Sequence, residues 1–112
     1  MIDTFRYTGE GFQTLKILEG WKIGYLRYCE RFSKCAEMER HLETNEVFIL
    51  LEGSATIYTE DEICPMENHV LYSIRKGEWH HIVVSEDATV LVMENSNTSA
   101  ANTHKKGVPS PC

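Results

Sequence analysis

The chain has 112 residues, of which 42% are hydrophobic and 25% charged, and its formal net charge at pH 7 is −6. This length predicts one domain with its own core, and so small a domain gains stability by burying surface against a second subunit, so we expect a homodimer. The acidic balance, without any basic stripe, disfavours binding to nucleic acids or anionic membranes, because both depend on clustered Lys and Arg.

Targeting signals are not evident in the sequence. No apolar stretch approaches the roughly 18 residues of a membrane helix, and the first residues lack the apolar core of a signal peptide. The four cysteines show no CxxC pairing, and their scatter is typical of free thiols in a reducing compartment. They are Cys29, Cys35, Cys64 and Cys112. These features together predict a cytoplasmic protein.

Short segments rich in β-branched and aromatic residues recur along the chain, separated by turn signals such as Arg75-Lys76-Gly77 and Ser85-Glu86-Asp87. They predict strands at residues 21–28, 47–51, 55–59, 70–74, 80–84 and 89–94. The turn Glu52-Gly53-Ser54 predicts that the second and third of these strands form a hairpin. Residues 30–38 are interpreted as a loop, because no segment predicts a helix of ordinary length. The regular spacing favours an all-β sandwich or barrel.

The strand at residues 47–51 is apolar on both faces. With a period of two, Phe48 and Leu50 share a face with the preceding Glu46, while Val47 and Ile49 share the other. One face can therefore line the barrel, and the other can meet a second sheet or a second subunit.

The end of the chain has a different composition. Residues 96–112 are rich in Asn, Ser, Thr and Lys and have no periodic pattern, which predicts an irregular C-terminal tail that can still reach a partner subunit. We therefore expect a β-barrel domain at residues 1–95, followed by this tail.

Three side chains with metal-binding chemistry stand at or near the starts of apolar strands. Glu46 opens the strand at residues 47–51, where its charge is costly to bury without a partner, and His80 opens the strand at residues 80–84. His41 lies shortly before Glu46. Imidazole nitrogen and carboxylate oxygen suit divalent first-row ions, so His41, Glu46 and His80 predict one metal site.

These residues stand in a pattern that resembles the cupin superfamily. The first cupin motif, HxHxxxxExxxxxxG, is met by His41, Glu46 and Gly53, with Glu39 at the place of its first histidine. The second motif, PxGxxHxxxN, is met at its glycine and histidine, Gly77 and His80. Its proline and asparagine are replaced by Arg75 and Val84.

The resemblance covers roughly positions 12–95, and it implies a compact cupin of the bacterial type. The implied fold is all-β, a single-domain cupin-type double-stranded β-helix, also called a jelly-roll barrel. The implied ligands are His41, Glu46 and His80, with Glu39 as a fourth, around a divalent Fe, Mn, Ni or Zn ion. Two histidines with two carboxylates favour a harder ion such as Mn or Fe. If Glu39 and Arg40 pair with other groups instead, the ligand set is smaller.

Neighbouring histidines need separate interpretations. Successive side chains of a strand point to opposite faces, so only one of His80 and His81 can face the cavity, and the Gly-x-x-His spacing selects His80. His81 is expected to pack with Val83 on the other face or to lie at a subunit contact. His69 and His104 have no motif support and are interpreted as structural or exposed.

The chemistry stays open among three hypotheses. The first is a metal-dependent reaction on a small oxygenated substrate, with Tyr58 or Trp79 lining the pocket. The second is a metal-free sugar epimerase or isomerase, which needs a histidine and a tyrosine facing each other across a cavity. The third is a binding or sensing module that holds a small ligand in an apolar barrel, with or without metal.

Overall fold

The computed structural model describes residues 1–7 and 9–108 and shows two antiparallel sheets with the core between them. The strands of the described residues are β1 (Phe12–Leu18), β2 (Trp21–Arg27), β3 (Glu37–His41), β4 (Glu46–Glu52), β5 (Ala55–Thr59), β6 (Ile63–Pro65), β7 (Leu71–Ile74), β8 (His80–Val84), β9 (Thr89–Asn95) and β10 (Thr103–Gly107). The first sheet has the order β1-β2-β9-β4-β7, and the second has the order β10-β3-β8-β5-β6. Apart from the hairpins β1-β2 and β5-β6, consecutive strands alternate between the two sheets as in a jelly roll, so the predicted all-β fold class is confirmed.

The helical content of the described residues is limited to two single-turn 3₁₀ helices, Glu30–Phe32 and Ala100–Asn102. Within residues 1–7 and 9–108, no helix has the length and apolar character needed to span a bilayer. The first 3₁₀ helix lies in the segment that the sequence predicts as a loop. It places Phe32 in the core, where its ring stacks on His81 with the ring centroids 5.9 Å apart.

Six of the strands match the sequence prediction to within a residue or two, and β1, β3, β6 and β10 do not. Of these four, β1, β6 and β10 are edge strands, which have one hydrogen-bonded neighbour and little need for an apolar alternation. β10 pairs along its whole length with β3, from Thr103 opposite His41 to Gly107 opposite Glu37. The prediction of an irregular tail is therefore wrong for these residues, while residues 109–112 lie outside the described residues. The domain boundary at residue 95 stays a prediction.

The predicted hairpin between β4 and β5 is also wrong, because the two strands belong to different sheets. β4 pairs with β7 and β9, whereas β5 pairs with β6 and β8. Gly53 makes this corner with a positive φ of 74°, and a Cβ there would lie 2.7 Å from the Cα of Ala88. Only glycine fits this corner, so the glycine that marks a turn in the sequence carries the chain from one sheet to the other.

The inward face of β4 follows the predicted alternation. Glu46, Phe48 and Leu50 are buried, and Val47 and Ile49 on the outer face are partly buried. Leu50 packs at the centre of the core with Val90 and Val92 of β9, all with 1% or less of their surface exposed. The one charged side chain of this buried row is Glu46, at the end of the strand.

The cysteines differ in part from the sequence interpretation. Cys29 and Cys64 are free thiols. Cys35 is disulfide-bonded, so the prediction of a free thiol is wrong there, and Cys112 lies outside the described residues. The cysteine pattern therefore no longer supports the predicted cytoplasmic location.

Candidate metal centre

Strand register brings the site residues to one end of the barrel. In the second sheet, β3 places His41 opposite Thr103 of β10 and Glu39 opposite His80 of β8. In the first sheet, β4 places Glu46 directly opposite Glu94 of β9. The inward faces of the two sheets pack against each other, so side chains from β3, β4, β8 and β9 meet at this end of the barrel.

A backbone hydrogen bond joins the segments that carry the two motifs. The amide of Gly77 donates to the carbonyl of His41 over 2.7 Å, and the amide of Lys76 donates to the side-chain Oδ1 of Asn45 over 2.9 Å. Gly77 has a positive φ of 77°, which an L side chain rarely adopts. The glycine of the second motif thus fixes the approach of β8 to the end of β3.

Donor atoms of Glu39, His41, Glu46 and His80 all lie within 4.8 Å of one another. The Nε2 of His41 is 3.4 Å from Oε1 of Glu46 and 3.6 Å from Oε1 of Glu39, and the Nε2 of His80 is 2.8 Å from Oε1 of Glu46. Two ligand atoms that are each about 2.1 Å from one ion are about 3 to 4 Å apart. The four side chains that the sequence singled out are therefore brought together at distances that one ion can bridge.

Hydrogen bonds on the far side of each imidazole orient the Nε2 atoms toward the centre. The Nδ1–H of His80 donates to the carbonyl of Glu78 over 2.9 Å, since a carbonyl can only accept. The Nδ1 of His41 is 3.0 Å from the hydroxyl of Thr103, and its Nε2 is buried without a hydrogen-bond partner among the described residues. Histidines that ligate metals are typically held in this way by the other ring nitrogen.

Glu46 controls the electrostatics of the site. Burial alone would raise the pKa of Glu46, but the contacts with His41 and His80 outweigh it and lower the pKa to about 2. Burial alone would lower the pKa values of both histidines, and the carboxylate of Glu46 reverses this and raises them. Without a metal, both histidines therefore keep their protons to a higher pH than an ordinary histidine does.

Glu94 behaves in the opposite way. Burial and the neighbouring charge of Glu46 raise the pKa of Glu94 to about 7. Its side chain is 8% exposed, and its Oε2 lies 3.8 Å from the Nε2 of His41. The site thus contains three carboxylates, of which two, Glu46 and Glu94, are buried.

A cavity of about 90 Å³ opens beside these groups. Its apolar wall is formed by side chains of both sheets and of the first 3₁₀ helix, and its polar wall by the cluster itself together with Arg31, His81 and Glu94. The apolar wall includes Phe12, Leu26, Phe32, Phe48, Ile82 and Val92. The volume equals that of about three water molecules in the liquid, so the cavity admits a small ligand only.

Comparison with solved structures identifies the architecture. The chain is similar to a cupin-2 domain protein from Shewanella frigidimarina, with a TM-score of 0.67 and 19% identity over 80% of this chain and 84% of that one. It is also similar to a cupin superfamily protein from Desulfitobacterium hafniense, with a TM-score of 0.58 and 13% identity over 84% of this chain and 82% of that one. The fold is that of the cupins. Neither a family model nor a curated protein sequence matches the chain.

A third similar structure has a described activity. Streptomyces Pac13, in a variant solved with uridine, gives a TM-score of 0.62 and 10% identity over 97% of this chain and 95% of that one. Pac13 is described as a nucleoside dehydratase. At these identities the likeness shows the fold alone.

Two pocket residues proposed from the sequence lie elsewhere in this cupin fold. Tyr58 lies beside Met38 and Ile63, away from the His and Glu cluster. The Trp79 ring lies between two cations, with Cζ of Arg40 at 4.7 Å and Nζ of Lys106 at 4.5 Å from its centroid. Neither lines the cavity beside the cluster, because Tyr58 alternates with the buried Ile57 in β5 and Trp79 lies just before β8.

Both His80 and His81 line the cavity, so the prediction that only one of them can face it is wrong, while His69 and His104 do not line it. His81 donates its Nε2–H to the carbonyl of Arg31 over 3.1 Å and stacks on Phe32, which differs from the expected packing on Val83. His69 is exposed, and the Nδ1 of exposed His104 accepts from Arg40. None of the three belongs to the His and Glu cluster.

Two residues of the site were missed by the sequence interpretation. Thr103 lies in the segment that was interpreted as irregular, and no pattern in the sequence marks Thr103 as a partner of His41. Glu94 had a signal, since Val90, Val92 and Glu94 occupy alternate positions of one strand, and a carboxylate that ends a buried apolar row resembles Glu46 in its own strand. Applying the argument made for Glu46 to every strand would have found it.

Proposed function

We propose that this cupin binds a divalent first-row metal ion through Glu39, His41, Glu46 and His80, and holds a small oxygenated molecule beside it. The observation that carries the proposal is the convergence of both Nε2 atoms with carboxylate oxygens, while the Nδ1 atoms are engaged elsewhere. A bound ion would also satisfy the buried Nε2 of His41, which otherwise has no hydrogen-bond partner within the described part of the chain. The donor set of two imidazoles and carboxylates fits Fe, Mn, Ni or Zn.

The cavity limits the molecule that binds next to the ion. Its volume of about 90 Å³ is well below the roughly 300 Å³ at which sites for drug-sized ligands begin. This favours a compact ligand with one or two oxygen donors over a nucleoside such as the uridine bound by Streptomyces Pac13. When bound, the ion would polarise a carbonyl or hydroxyl oxygen of that ligand, and the apolar wall around Phe48 would exclude bulk water.

A metal-free binding or sensing cupin is the second candidate, and one observation favours it. Glu46 contacts two histidines whose pKa values it raises, so protonated imidazoles can balance its charge without an ion. A metal-free epimerase gains no such support, because no tyrosine is among the described residues that line the cavity beside the cluster.

Metal content tests the proposal. Protein purified without chelator and without nickel resin is expected to contain close to one equivalent of Fe, Mn, Ni or Zn by elemental analysis. Protein stripped with chelator and dialysed should take up one equivalent again when titrated with Mn²⁺ or Zn²⁺. Absence of metal in the purified protein, together with no uptake in the titration, would reject the metal site and leave the metal-free binding module.

The outer face of the first sheet supports the homodimer that chain length led us to expect. Cross-strand neighbours form two apolar rows on this face, each running over β2, β9 and β4. The rows are Ile23, Met93 and Val47, and Tyr25, Leu91 and Ile49. Leu71 of β7 extends the second row and is 58% exposed. Apolar rows of this kind on a sheet face are typical of an interface, and a second copy of the chain offers a self-complementary surface for them.

Placing a charge at the centre of this face is expected to separate the dimer. The variant Leu91→Glu buries a carboxylate against the apolar rows of the partner, so it should shift the protein from dimer to monomer. Light scattering after size-exclusion chromatography measures the mass directly. The control Lys105→Glu changes an exposed side chain of the opposite sheet and should leave the mass unchanged. A wild-type protein that is already monomeric would contradict the dimer.

A further inference from the structure

Glu94 is a buried carboxylate that the cupin motifs do not include. It ends the inward-facing row of β9 after Val90 and Val92, and only 6% of its surface is exposed. Its Oε2 has no hydrogen-bond partner among the described residues, and the same holds for the Nε2 of His41, 3.8 Å away. Two buried polar atoms that face each other without partners leave an uncompensated cost that a cation between them would relieve.

We propose that Glu94 is a further ligand of the metal ion, bound through Oε2. The inference rests on the proposed metal site and adds a residue from a strand that carries neither motif. Donors at about 2.1 Å from one ion are about 3.0 Å apart at right angles and about 4.2 Å apart when opposite, and the separation of 3.8 Å lies between these values. The register supports the same assignment, since Glu94 lies directly opposite the ligand Glu46.

Glu39, the other carboxylate at the edge of the site, is differently placed. Its Oε2 accepts a hydrogen bond from the guanidinium of Arg31 over 2.9 Å, and its side chain is 21% exposed. Arg31 already balances the charge of Glu39, whereas no cationic side chain forms an ion pair with Glu94 among the described residues other than a protonated His41. The ion therefore gains more from Glu94 than from Glu39.

The charges of the cluster agree with a divalent ion. With neutral histidines, the buried carboxylates Glu46 and Glu94 carry −2, and no Lys or Arg of the described residues forms an ion pair with either. A divalent cation neutralises this charge, while an apolar or neutral occupant leaves it unbalanced in a buried site. A third carboxylate also makes the ligand set harder, which raises the affinity for Mn²⁺ relative to that for Zn²⁺.

The matched pair Glu94→Gln and Glu39→Gln tests this assignment. Each variant removes one charge and keeps the side-chain volume, and both are compared with wild type as chelator-stripped protein titrated with Mn²⁺ and with Zn²⁺ at one pH, in competition with a metallochromic indicator. We expect Glu94→Gln to weaken Mn²⁺ binding by about 10- to 100-fold. Zn²⁺ binding should weaken less, so that the ratio of the two affinities moves toward Zn²⁺. Glu39→Gln should weaken Mn²⁺ binding less than Glu94→Gln does, because Arg31 already pairs with Glu39.

Folding is monitored on the same stripped samples by circular dichroism and urea unfolding. If Glu94→Gln does not fold, Glu94→Asp replaces it, since the shorter side chain keeps the charge and withdraws the oxygen from the ion. Unchanged Mn²⁺ affinity in the folded Glu94 variant, or equal losses for Mn²⁺ and Zn²⁺, overturns the inference and leaves the metal site standing. A wild-type protein that binds neither ion overturns both the inference and the proposed function.

Discussion

Replacing His80 by glutamine is expected to weaken metal binding by at least about 100-fold, the largest effect of any single substitution in this chain. Loss of an outer partner of a metal ligand already costs about 10- to 100-fold, and His80 supplies a ligand atom itself. Its Nε2 lies 2.8 Å from Oε1 of Glu46, and its ring orientation is fixed by the carbonyl of Glu78. Elemental analysis of the purified variant and titration of the stripped variant with Zn²⁺ both measure the loss.

His81→Gln is the matched control for this substitution. The two histidines are adjacent and almost equally buried, with 3% and 4% of their surfaces exposed, but His81 hydrogen-bonds to the carbonyl of Arg31. Its replacement should change the metal affinity by less than about threefold, even if the free energy of unfolding falls by about 1 kcal/mol through the lost hydrogen bond. Equal metal loss in both variants would indicate a general disturbance of the fold, and full metal uptake by His80→Gln would remove His80 from the ligand set.

Metal affinity is expected to fall steeply with acid, by more than about 100-fold between pH 8 and pH 5.5. Ligating imidazoles must be neutral, and the pKa values of His41 and His80 are both raised above the ordinary value of 6.5. Protons therefore begin to compete with the ion at a higher pH than they do at an ordinary histidine. In the pH range where both histidines are protonated, the metal affinity changes about tenfold per pH unit for each proton that the ion displaces.

The pH dependence of stability gives an independent check of the same charges. A raised histidine pKa stabilises the metal-free fold below pH 6.5 and loses that contribution as the pH rises through the raised value. Glu94, with its pKa raised to about 7, acts in the same direction, because its ionisation in the folded state is disfavoured as the pH rises above about 4.5. His81, whose pKa burial lowers, opposes them.

Metal-free protein should thus lose thermal stability from pH 5 to pH 8, and saturating Zn²⁺ should reduce or reverse the loss. Differential scanning calorimetry over this range, with and without metal, measures both curves. Parallel curves with and without Zn²⁺ would show that the ion does not displace these protons. The free energy involved is of the order of 2 kcal/mol, which corresponds to a shift of several degrees in Tm for a chain of this size.

The fold was largely predictable because the interior strands carry their own periodic signal. The interior strands β2, β4, β5, β8 and β9 and the edge strand β7 are rich in β-branched and aromatic residues and were predicted nearly to their ends, whereas the interior strand β3 was not. The edge strands β1, β6 and β10 were not predicted, and β10, with the sequence Thr-His-Lys-Lys-Gly, is held by backbone hydrogen bonds to β3. Backbone hydrogen bonds need no particular side chains, so sequence periodicity does not report them.

The residues of the site were also only partly predictable from the sequence. His41, Glu46 and His80 were chosen by motif spacing, and the structure brings their donor atoms together with one from Glu39. Whether Glu39 is a ligand was left open, and its ion pair with Arg31 could not be inferred, because Arg31 lies in a segment without regular periodicity. The partnership of Glu46 with Glu94 depends on the register of β4 against β9, which pairs residues far apart in the chain.

By itself, the sequence determined the all-β class, the inward face of β4 and the three strand-end side chains that suit a metal, because each of these follows from local periodicity and residue chemistry. Tertiary structure alone decided that β4 and β5, joined at Gly53, belong to different sheets. It also decided that Thr103 of β10 contacts His41 and that Glu94 faces the cluster. These depend on which strands become neighbours and in what register. Such long-range pairings are selected by the packing of the whole core, and no short segment of the chain contains them.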